Sequence, residues 1–568
     1  MVSASPIFGF NDHRGAIVDE VVRRVTAGAR DPRMMLSEAA FLEAKRQQLA
    51  GSDDTVPLSE WRAMARALGR MSDGECRARL GDLGERYARD VAGNFDPRVY
   101  KFASKAAAPL IGMLMSPLQT LRHPGGAFDL RALDGRVVIE GPVGTLRKLA
   151  EQGTLVFVPT HLSNLDSVVF GFALERAGLP PATYGAGKNL FGNPVLSFFM
   201  HNLGAYRVDR RVRHGLYKEV LKTYSCVLIE RGYHSLFFPG GTRSRSGAVE
   251  RHLKLGLAGT GVEAMARTAA VGAARPVYFV PATINYLLTL EAETLIDDFL
   301  SEEGRHRYII EDDESTRPGR IAAFMRKLLG LDAGCVIRFS APLDCFGNAV
   351  DEEGISHDGR GHAVDPLSYL TDAEGRVGPD PARDAQYTRE LSGAIVRAYQ
   401  RDTVAMATHL VAACAFEKMA QAMAGPAGPA GPGGDAGSAC RAGADIFAML
   451  RDKDDVLVSR AELAGRVERL RDRARELEGR GGIVLGPGLS RASGREILDE
   501  ALRAFSGYHS SPVLEPRGES LLLVDTRLIF YYQNRLAGHG LAADLIAPKR
   551  EGKTDQSALR SRARPQAP

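Results

Sequence analysis

Short β-rich runs alternate with helical segments from about residue 130 of this 568-residue chain. The runs RVVIE, TLVFVP, HSLFFP, RPVYFVPATI and CVIRFS are rich in β-branched and aromatic residues, whereas GTLRKLAEQ and GLYKEVLKTYSCVLIERG have helical periodicity. Strands that are joined through helices form a sheet with helices on its faces, since each crossover must pack back onto the sheet. The pattern predicts an α/β domain over residues 130–345, with a mixed sheet flanked by helices.

The rest of the chain differs in texture from this domain. Residues 15–97 have helical periodicity, frequent charges and no strand-like alternation. The tract GPAGPAGPGGDAGSA is too short for a collagen helix and is typical of a linker. Beyond it, Ser459 and Glu462 predict a capping box at the start of a charged helix. The predicted units are a helical N-terminal region (1–129), a helical extension (346–424), the linker (425–439), a smaller, mainly helical C-terminal domain (440–547) and a basic disordered tail (548–568).

Charge and cysteine content exclude several classes of protein. The net charge of +4 is too weak to indicate a nucleic-acid partner. Six cysteines are scattered without a C-x-x-C pair, which favours reduced thiols and predicts no structural metal. The first residues lack a basic segment followed by an apolar run, so we expect no signal peptide and a chain that stays inside the cell.

The most apolar stretch is AAAPLIGMLMSPL, residues 106–118. It is shorter than the ~20 residues of a spanning helix, and Pro109 and Pro117 interrupt it, so we expect no membrane crossing here. Two interpretations stay open: a buried core segment, or an interfacial segment flanked by Lys101 and Lys105.

A histidine and an aspartate follow one buried strand in FVPTHLSNLDS, residues 157–167. His161 and Asp166 fall on the predicted turn between the strand and a helix, where functional side chains are commonly displayed. A neutral imidazole can take a proton from an alcohol, while a carboxylate on its other nitrogen stabilises the imidazolium that forms. The alternative is that Ser163 and Asp166 only cap the helix and that His161 is an ordinary loop residue.

Arginines stand at the ends of two further predicted strands. GAYRVDR carries Arg207 and Arg210, and FFPGGTRSRSG places Arg243 and Arg245 after a Gly-Gly turn, with Lys254 following. A glycine turn lets the main chain approach an anion, and guanidinium groups match the geometry of phosphate. The pattern favours a phosphate site over scattered solubilising charges.

Two other classes of enzyme fit the sequence poorly. A serine hydrolase needs a nucleophile, but no G-x-S-x-G is present and Ser163 lies too close to His161 along the chain. In YGAGKNLFG the third glycine of a dinucleotide loop is missing, and Lys188 precedes Asn189, where a P-loop needs Ser or Thr.

The ordered segments H-x-x-x-x-D, GAYRVDR, FPGGTRSRSG and VPATINY resemble the four blocks of the glycerolipid acyltransferase superfamily. PTHLSNLDS, AGKNL, the K-L-G after RSRSG, and INY are similar to the large, membrane-associated glycerol-3-phosphate 1-acyltransferases, as is the terminal RLIFYYQNRL. The resemblance is dense from about residue 130 to 290 and thinner up to about residue 540.

The resemblance implies a role for individual residues. His161 is the implied catalytic base and Asp166 its partner. Four basic residues are implied to bind the substrate phosphate: Arg210, Arg243, Arg245 and Lys254. Six residues are implied to shape the substrate and acyl pocket: Gly204, Gly240, Gly241, Thr242, Ser244 and Pro281.

The third block departs from the family pattern at one position. The family usually has a glutamate, thought to hold the glycerol moiety, where this chain has Gly240. Glu250 and Asp209 are the two carboxylates that we consider as replacements.

The resemblance implies transfer of a long-chain acyl group from an acyl thioester to the sn-1 hydroxyl of glycerol 3-phosphate, the first step of phospholipid synthesis. It implies no cofactor and no metal, with acyl-CoA or acyl-carrier protein as co-substrate, no nucleic acid, and a peripheral or interfacial position on the cytoplasmic face of the inner or plasma membrane. Alternatives are dihydroxyacetone phosphate or lysophosphatidate as acceptor, or a catalytically silent lipid- or carrier-binding protein.

An acyl substrate needs an apolar surface, so residues 98–121 predict an interfacial face, helped by Phe530, Tyr531 and Tyr532. The alternative for the three aromatic residues is a small hydrophobic core in the C-terminal unit.

Overall fold

A computed structural model of the chain describes residues 5–50, 56–103, 137–188, 191, 194–303, 334–424 and 456–542. The apolar stretch 106–118, the linker 425–439 and the basic tail 548–568 lie outside these residues. Among the described helices, none is long and apolar enough to cross a bilayer.

The N-terminal region is helical, as its periodicity predicts. The helices bury an apolar stripe that includes Val18, Trp61 and Leu80, and they close it against the helix at residues 215–230 of the α/β domain. Ser72 and Glu75 form a capping box at the start of the fourth helix. The elements are a 3-10 turn at Pro6–Gly9, α1 (Phe10–Gly28), α2 (Pro32–Ala50), α3 (Leu58–Ala67), a 3-10 turn at Leu68–Arg70 and α4 (Asp73–Val91).

A seven-stranded sheet forms the centre of the molecule. Its strands are β1 (Val137–Glu140), β2 (Thr154–Pro159), β3 (Thr183–Gly187), β4 (Ala205–Val208), β5 (Ser235–Leu236), β6 (Val277–Tyr286) and β7 (Cys335–Phe339), in the order β1-β7-β6-β2-β5-β3-β4. The five strands from β6 to β4 are parallel, and β7 joins β6 antiparallel. The mixed sheet is confirmed.

Helices cover the sheet and connect its parallel strands. β2 and β6 are buried along their whole lengths, which explains their continuous apolar runs. The helices of this domain are α5 (Val143–Gln152), α6 (Asp166–Arg176), α7 (Pro194–Asn202), α8 (Gly215–Glu230), α9 (Leu255–Ala270) and α10 (Ala292–Glu303).

Three tight hairpin strands and two long helices follow the sheet. In this part an aspartate side chain caps each turn, as Asp351 and Asp358 do for the main-chain N–H groups that follow them. The elements are β8 (Ala349–Val350), β9 (Ser356–His357), β10 (Ala363–Val364), a 3-10 turn at Pro366–Leu370, α11 (Pro381–Asp402), β11 (Val404–Ala405) and α12 (Ala407–Ala424).

The C-terminal residues pack onto the α/β domain through one continuous core. That core joins Leu287–Leu288 after β6, much of α12, and the apolar faces of the last helices. A three-stranded antiparallel sheet in the order β12-β15-β14 accompanies them. The elements are β12 (Val456–Ser459), α13 (Arg460–Gly479), β13 (Val484–Leu485), α14 (Gly494–Phe505), β14 (Leu514–Arg517), β15 (Ser520–Leu523), α15 (Thr526–Gln533) and a 3-10 turn at Asn534–Leu536.

Two predictions for this region are wrong. Ser459 is the N-cap residue of α13, but its side chain makes no capping hydrogen bond, and the Glu462 carboxylate binds Lys418 instead. Phe530, Tyr531 and Tyr532 are at most 2% exposed, so they cannot help to form an interfacial surface. They belong to the shared core, which is larger than the small C-terminal core of the alternative interpretation.

Candidate active site

The carboxyl ends of the parallel strands bring the sequence motifs to one edge of the sheet. His161 follows β2, Arg210 follows β4, the Gly-Gly turn follows β5, and β6 ends at Tyr286. Parallel strands that share a direction all open at the same edge, which is where α/β proteins place their ligand sites. The topology therefore brings motifs that are far apart in the sequence together in one group of side chains.

His161 and Asp166 are in direct contact. The Nδ1–H of His161 donates to Oδ2 of Asp166 over 2.9 Å, and the two residues are 9% and 0% exposed. The Asp166 Oδ2 atom also accepts the main-chain N–H groups of Leu162 (2.6 Å) and Ser163 (2.9 Å). The capping interpretation is wrong, because the N-cap residue of α6 is Leu165 and no side chain caps the helix. The Asp166 carboxylate instead holds the loop before the helix and orients the imidazole.

Two aromatic residues complete the surroundings of this pair. The hydroxyl of Tyr286 donates to Oδ1 of Asp166 over 2.8 Å, and the ring of Phe238 stacks on the imidazole with centroids 4.1 Å apart. Burial, followed by the charge of Asp166, raises the pKa of Tyr286 well above its usual value, so the phenol stays a donor. The sequence analysis assigned no role to either residue, although both lie in the quoted segments VPATINY and FFPGGTRSRSG.

The Gly-Gly turn lies against the histidine loop. The N–H of Ser244 donates to the carbonyl of His161 over 2.7 Å, which fixes the turn beside the His161–Asp166 pair. Gly241 has φ +75°, and a Cβ there would lie 2.5 Å from Cδ and 2.6 Å from Nζ of Lys254. Only glycine suits this position, and the Lys254 ammonium lies over the turn.

Arg243 is tied to the histidine loop through a carboxylate that the sequence analysis missed. Glu291, which is fully buried, accepts the Asn164 N–H at 3.0 Å with Oε1, and the same oxygen lies 3.3 Å from Nη1 of Arg243. No motif in the sequence marked Glu291. Desolvation, and then the charge of Arg243, lower the pKa of Arg210, so these two arginines are within electrostatic reach.

The other predicted residues take different places. Half-buried Arg245 lies in the same turn as Arg243, exposed Thr242 lies at its tip, and Pro281 is buried in β6 opposite Val158. Gly204 lies at the junction with the N-terminal helices: it has φ +88°, and its N–H donates to Asn94. Arg207 is paired with Asp90 over 3.5 Å.

Glu250 lies beside Gly240. A Cβ on Gly240 would be 3.0 Å from Cγ and 3.4 Å from Oε1 of Glu250, so the Glu250 side chain fills the space beside this glycine. Its Oε1 accepts the main-chain N–H of His161 over 2.7 Å. The other considered carboxylate, Asp209, is paired with Arg211 at 2.9 Å. The geometry therefore favours Glu250 over Asp209.

Comparison with known proteins finds a family match over the part of the chain that carries these motifs. A family model described as Acyltransferase matches residues 142–285, which contain the histidine loop, Arg210, the Gly-Gly turn and β6 up to Asn285. Proteins named glycerol-3-phosphate acyltransferase from Actinobacillus pleuropneumoniae serotype 5b (strain L20) and Glaesserella parasuis serovar 5 (strain SH0165) are 30% and 31% identical over 200 residues, 35% of this chain. The matched part spans 22% and 23% of the length of these two relatives.

A solved structure, the 1-acyl-sn-glycerophosphate (LPA) acyltransferase PlsC from Thermotoga maritima, is 16% identical and covers 52% of this chain and 91% of its own. Its TM-score of 0.22 is too low to support an argument. Residues 142–285 therefore match an acyltransferase domain, and the relatives to which this part of the chain is similar are named glycerol-3-phosphate acyltransferase.

Proposed function

We propose that the protein transfers a long-chain acyl group from an acyl thioester to the sn-1 hydroxyl of glycerol 3-phosphate, giving lysophosphatidate. The observation that carries the proposal is the contact between the His161–Asp166 pair and the turn that holds Arg243. Such an arrangement offers a base for an alcohol and, beside it, cations for a phosphate. The names of the matched relatives support the choice of acceptor.

His161 is the proposed general base. Because Nδ1 donates to Asp166, Nε2 carries the lone pair that accepts the hydroxyl proton of the acceptor. Asp166 then stabilises the imidazolium, and the stacked Phe238 ring restricts rotation of the imidazole. The alkoxide oxygen attacks the thioester carbonyl directly, so no acyl-enzyme is needed.

The arginines at the turn are the proposed phosphate site. Arg243 is already oriented by Glu291, and Arg210 adds a second positive charge nearby. Positive charges held close together repel each other, and a dianionic phosphate relieves that repulsion. Lys254 over the glycine turn is the proposed third cation, and Arg245, two residues beyond Arg243, the fourth.

The oxyanion that forms on the thioester carbonyl needs N–H donors. Every main-chain N–H from Thr160 to Asp166 already donates to a protein acceptor, so the turn after Pro159 has no donor to offer. In the second turn, the N–H groups of Gly240 and Thr242 meet no acceptor among the described residues. We therefore assign the oxyanion site to the Gly240–Thr242 turn.

Collapse of the tetrahedral intermediate breaks the carbon–sulfur bond. A thiol has a pKa of about 8.5, so the thiolate leaves with little help, and the imidazolium of His161 returns the proton to it. Acyl-CoA or acyl-carrier protein is the proposed donor, no cofactor takes part, and a peripheral position on the membrane would bring the protein to its lipid product.

A panel of acceptors tests the proposal. Labelled palmitoyl-CoA and palmitoyl-loaded acyl-carrier protein are each incubated with glycerol 3-phosphate, dihydroxyacetone phosphate, lysophosphatidate or no acceptor. We expect 1-acylglycerol 3-phosphate as the main product with at least one donor. Preferential acylation of another acceptor, or release of free fatty acid at the same rate without any acceptor, would contradict the proposal.

A further inference from the structure

Glu250 is a second carboxyl group in contact with the catalytic histidine. Asp166 binds the ring nitrogen of His161, whereas Oε1 of Glu250 accepts the main-chain N–H of the same residue over 2.7 Å. The ring and the main chain are thus fixed by two different carboxyl groups, one that opens α6 and one from the loop before α9. A change in either group must alter the position or the electrostatic environment of the imidazole.

The second carboxyl group depends on the glycine at position 240. Any side chain there would begin 3.0 Å from Cγ of Glu250, closer than ordinary van der Waals contact. Gly240 has no positive φ, so room for Glu250, and not conformational freedom, explains the glycine. Positions 240 and 250 are therefore coupled by packing.

A segment at residues 526–536 packs against the loop that leads to Glu250 and against β6. Asn534 donates to the carbonyl of Ser246 over 2.9 Å, and Gly247 packs against the carbonyl of Tyr531. Arg535, which is 2% exposed, donates through Nη2 to the carbonyl of Ile284 over 2.9 Å. The C-terminal segment, residues 526–536, therefore contacts both the loop at Ser246 and Gly247 and the end of β6.

Polar atoms remain unmatched between this segment and Glu250. Among the described residues, three polar atoms are shielded from solvent and have no hydrogen-bond partner: Oε2 of Glu250, and Nε and Nη1 of Arg535. Burial raises the pKa of Glu250 to about 7, against the opposing effects of the His161 N–H and Arg535, and Asp166 adds to the rise. Burial, and then the charge of Glu250, raise the pKa of Tyr399 of α11, so this phenol also lies within electrostatic reach of Glu250. Arg535 is the cation in this set.

We propose that Glu250 is a second positioning acid for His161 and that Arg535 of the C-terminal segment is its counter-ion. The catalytic centre is then complete only when residues 526–536 are docked, which links the end of the chain to proton transfer at its centre. The inference rests on the proposed function only in taking His161 as the base. Neutral Glu250 still accepts the His161 N–H, but it no longer stabilises the imidazolium.

The first experiment measures kcat, KM and their pH dependence for wild type, Glu250→Gln and Glu250→Ala. Glutamine keeps the acceptor oxygen without the charge, so we expect kcat to fall about tenfold with little change in acceptor KM. The part of the acidic limb near pH 7 that Glu250 contributes should disappear. Alanine should lower kcat further. Asp344→Asn, a buried acid in the hairpin region, is the matched control and should keep the wild-type profile. An unchanged profile in Glu250→Gln, or an effect on KM alone, would overturn the proposal.

The second experiment removes the counter-ion. In Arg535→Met the acidic limb should move to higher pH, because Glu250 loses its neighbouring cation, and the shift should vanish when Glu250→Gln is also present. Arg535→Lys, which keeps the charge, should restore most of the wild-type profile and serves if the methionine variant does not fold. A shift of equal size in the Glu250→Gln background would contradict the pairing.

A third measurement does not depend on activity. Hydrogen–deuterium exchange of the peptide that contains His161 should be slow in wild type and in Glu250→Gln, and at least several-fold faster in Glu250→Ala. Equal protection in all three would refute the contact with Glu250. If wild type transfers no acyl group to glycerol 3-phosphate, the proposed function fails, whereas the exchange experiment still decides the role of Glu250.

Discussion

Replacement of Asp166 by asparagine separates its charge from its shape. The carboxylate has only donors around it: the His161 ring N–H, two main-chain N–H groups and the hydroxyl of Tyr286. Asparagine can keep its oxygen on the first three and turn its amide toward Tyr286, whose hydroxyl can reverse and accept. The loop should therefore keep its conformation while the imidazolium loses its charged partner.

The expected loss can be estimated from one contact. A hydrogen bond to a charged group is worth roughly 1.5–3 kcal/mol, which corresponds to a fall in kcat of about 10- to 150-fold. Acceptor KM should change little, because the arginines are untouched. Steady-state kinetics with palmitoyl-CoA and glycerol 3-phosphate measure kcat and KM, and thermal unfolding shows whether the variant is folded. A variant with wild-type kcat and an intact fold would refute the catalytic role of the pair.

Tyr286→Phe is the companion variant for this test. It removes the fourth donor, so Oδ1 of Asp166 is left buried without its partner, at a cost of about 1–3 kcal/mol in unfolding free energy. In the Asp166→Asn background the same change should cost less, since a neutral amide needs the phenol less. Strict additivity of the two changes in unfolding free energy would show that Tyr286 does not act through Asp166.

The remaining predictions concern the turn and Glu250. Gly241→Ala should lower the unfolding free energy by about 1–2 kcal/mol, because alanine disfavours φ +75°. It should also raise acceptor KM, because the new methyl group displaces Lys254, and an unchanged KM would contradict this. Arg243→Gln should lower kcat/KM for glycerol 3-phosphate about 10- to 150-fold. The control variant, Arg376→Gln at an exposed position, should have almost no effect, and equal effects of the two variants would refute a phosphate site. The folded pKa of Glu250 is raised, so its stabilising contribution is present below about pH 4.5 and is lost as pH rises through about 7. The unfolding free energy of wild type relative to Glu250→Gln should therefore fall by on the order of 3 kcal/mol between those pH values, and a constant difference would be inconsistent with a buried acid.

The sequence predicted the sheet, and it placed the candidate site residues after strands, because those features have local signals. β2 and β6 are apolar along their length, and His161, Asp166, Arg210 and the Gly-Gly turn each follow a strand. The resemblance to glycerolipid acyltransferases follows from the order of these segments, and the Acyltransferase family model that matches residues 142–285 agrees with it.

Other features depend on contacts between distant parts of the chain, which local patterns do not reveal. Glu291 binds Arg243 from beyond β6, and Arg535 reaches the same centre from the C-terminal segment. The capping box at Ser459 had a correct local pattern but does not form, because the Glu462 carboxylate that it needs binds Lys418 of α12. Tertiary contacts outweigh local preference at each of these positions.

The most direct test of the central claim is the rate of acyl transfer to glycerol 3-phosphate by His161→Ala, compared with wild type at the same pH. His161 is the base in this account, so the variant should lose at least about 100-fold in kcat while it remains folded and its acceptor KM stays near the wild-type value. Equal rates in the two proteins would show that the proton is removed by another group and would contradict the account.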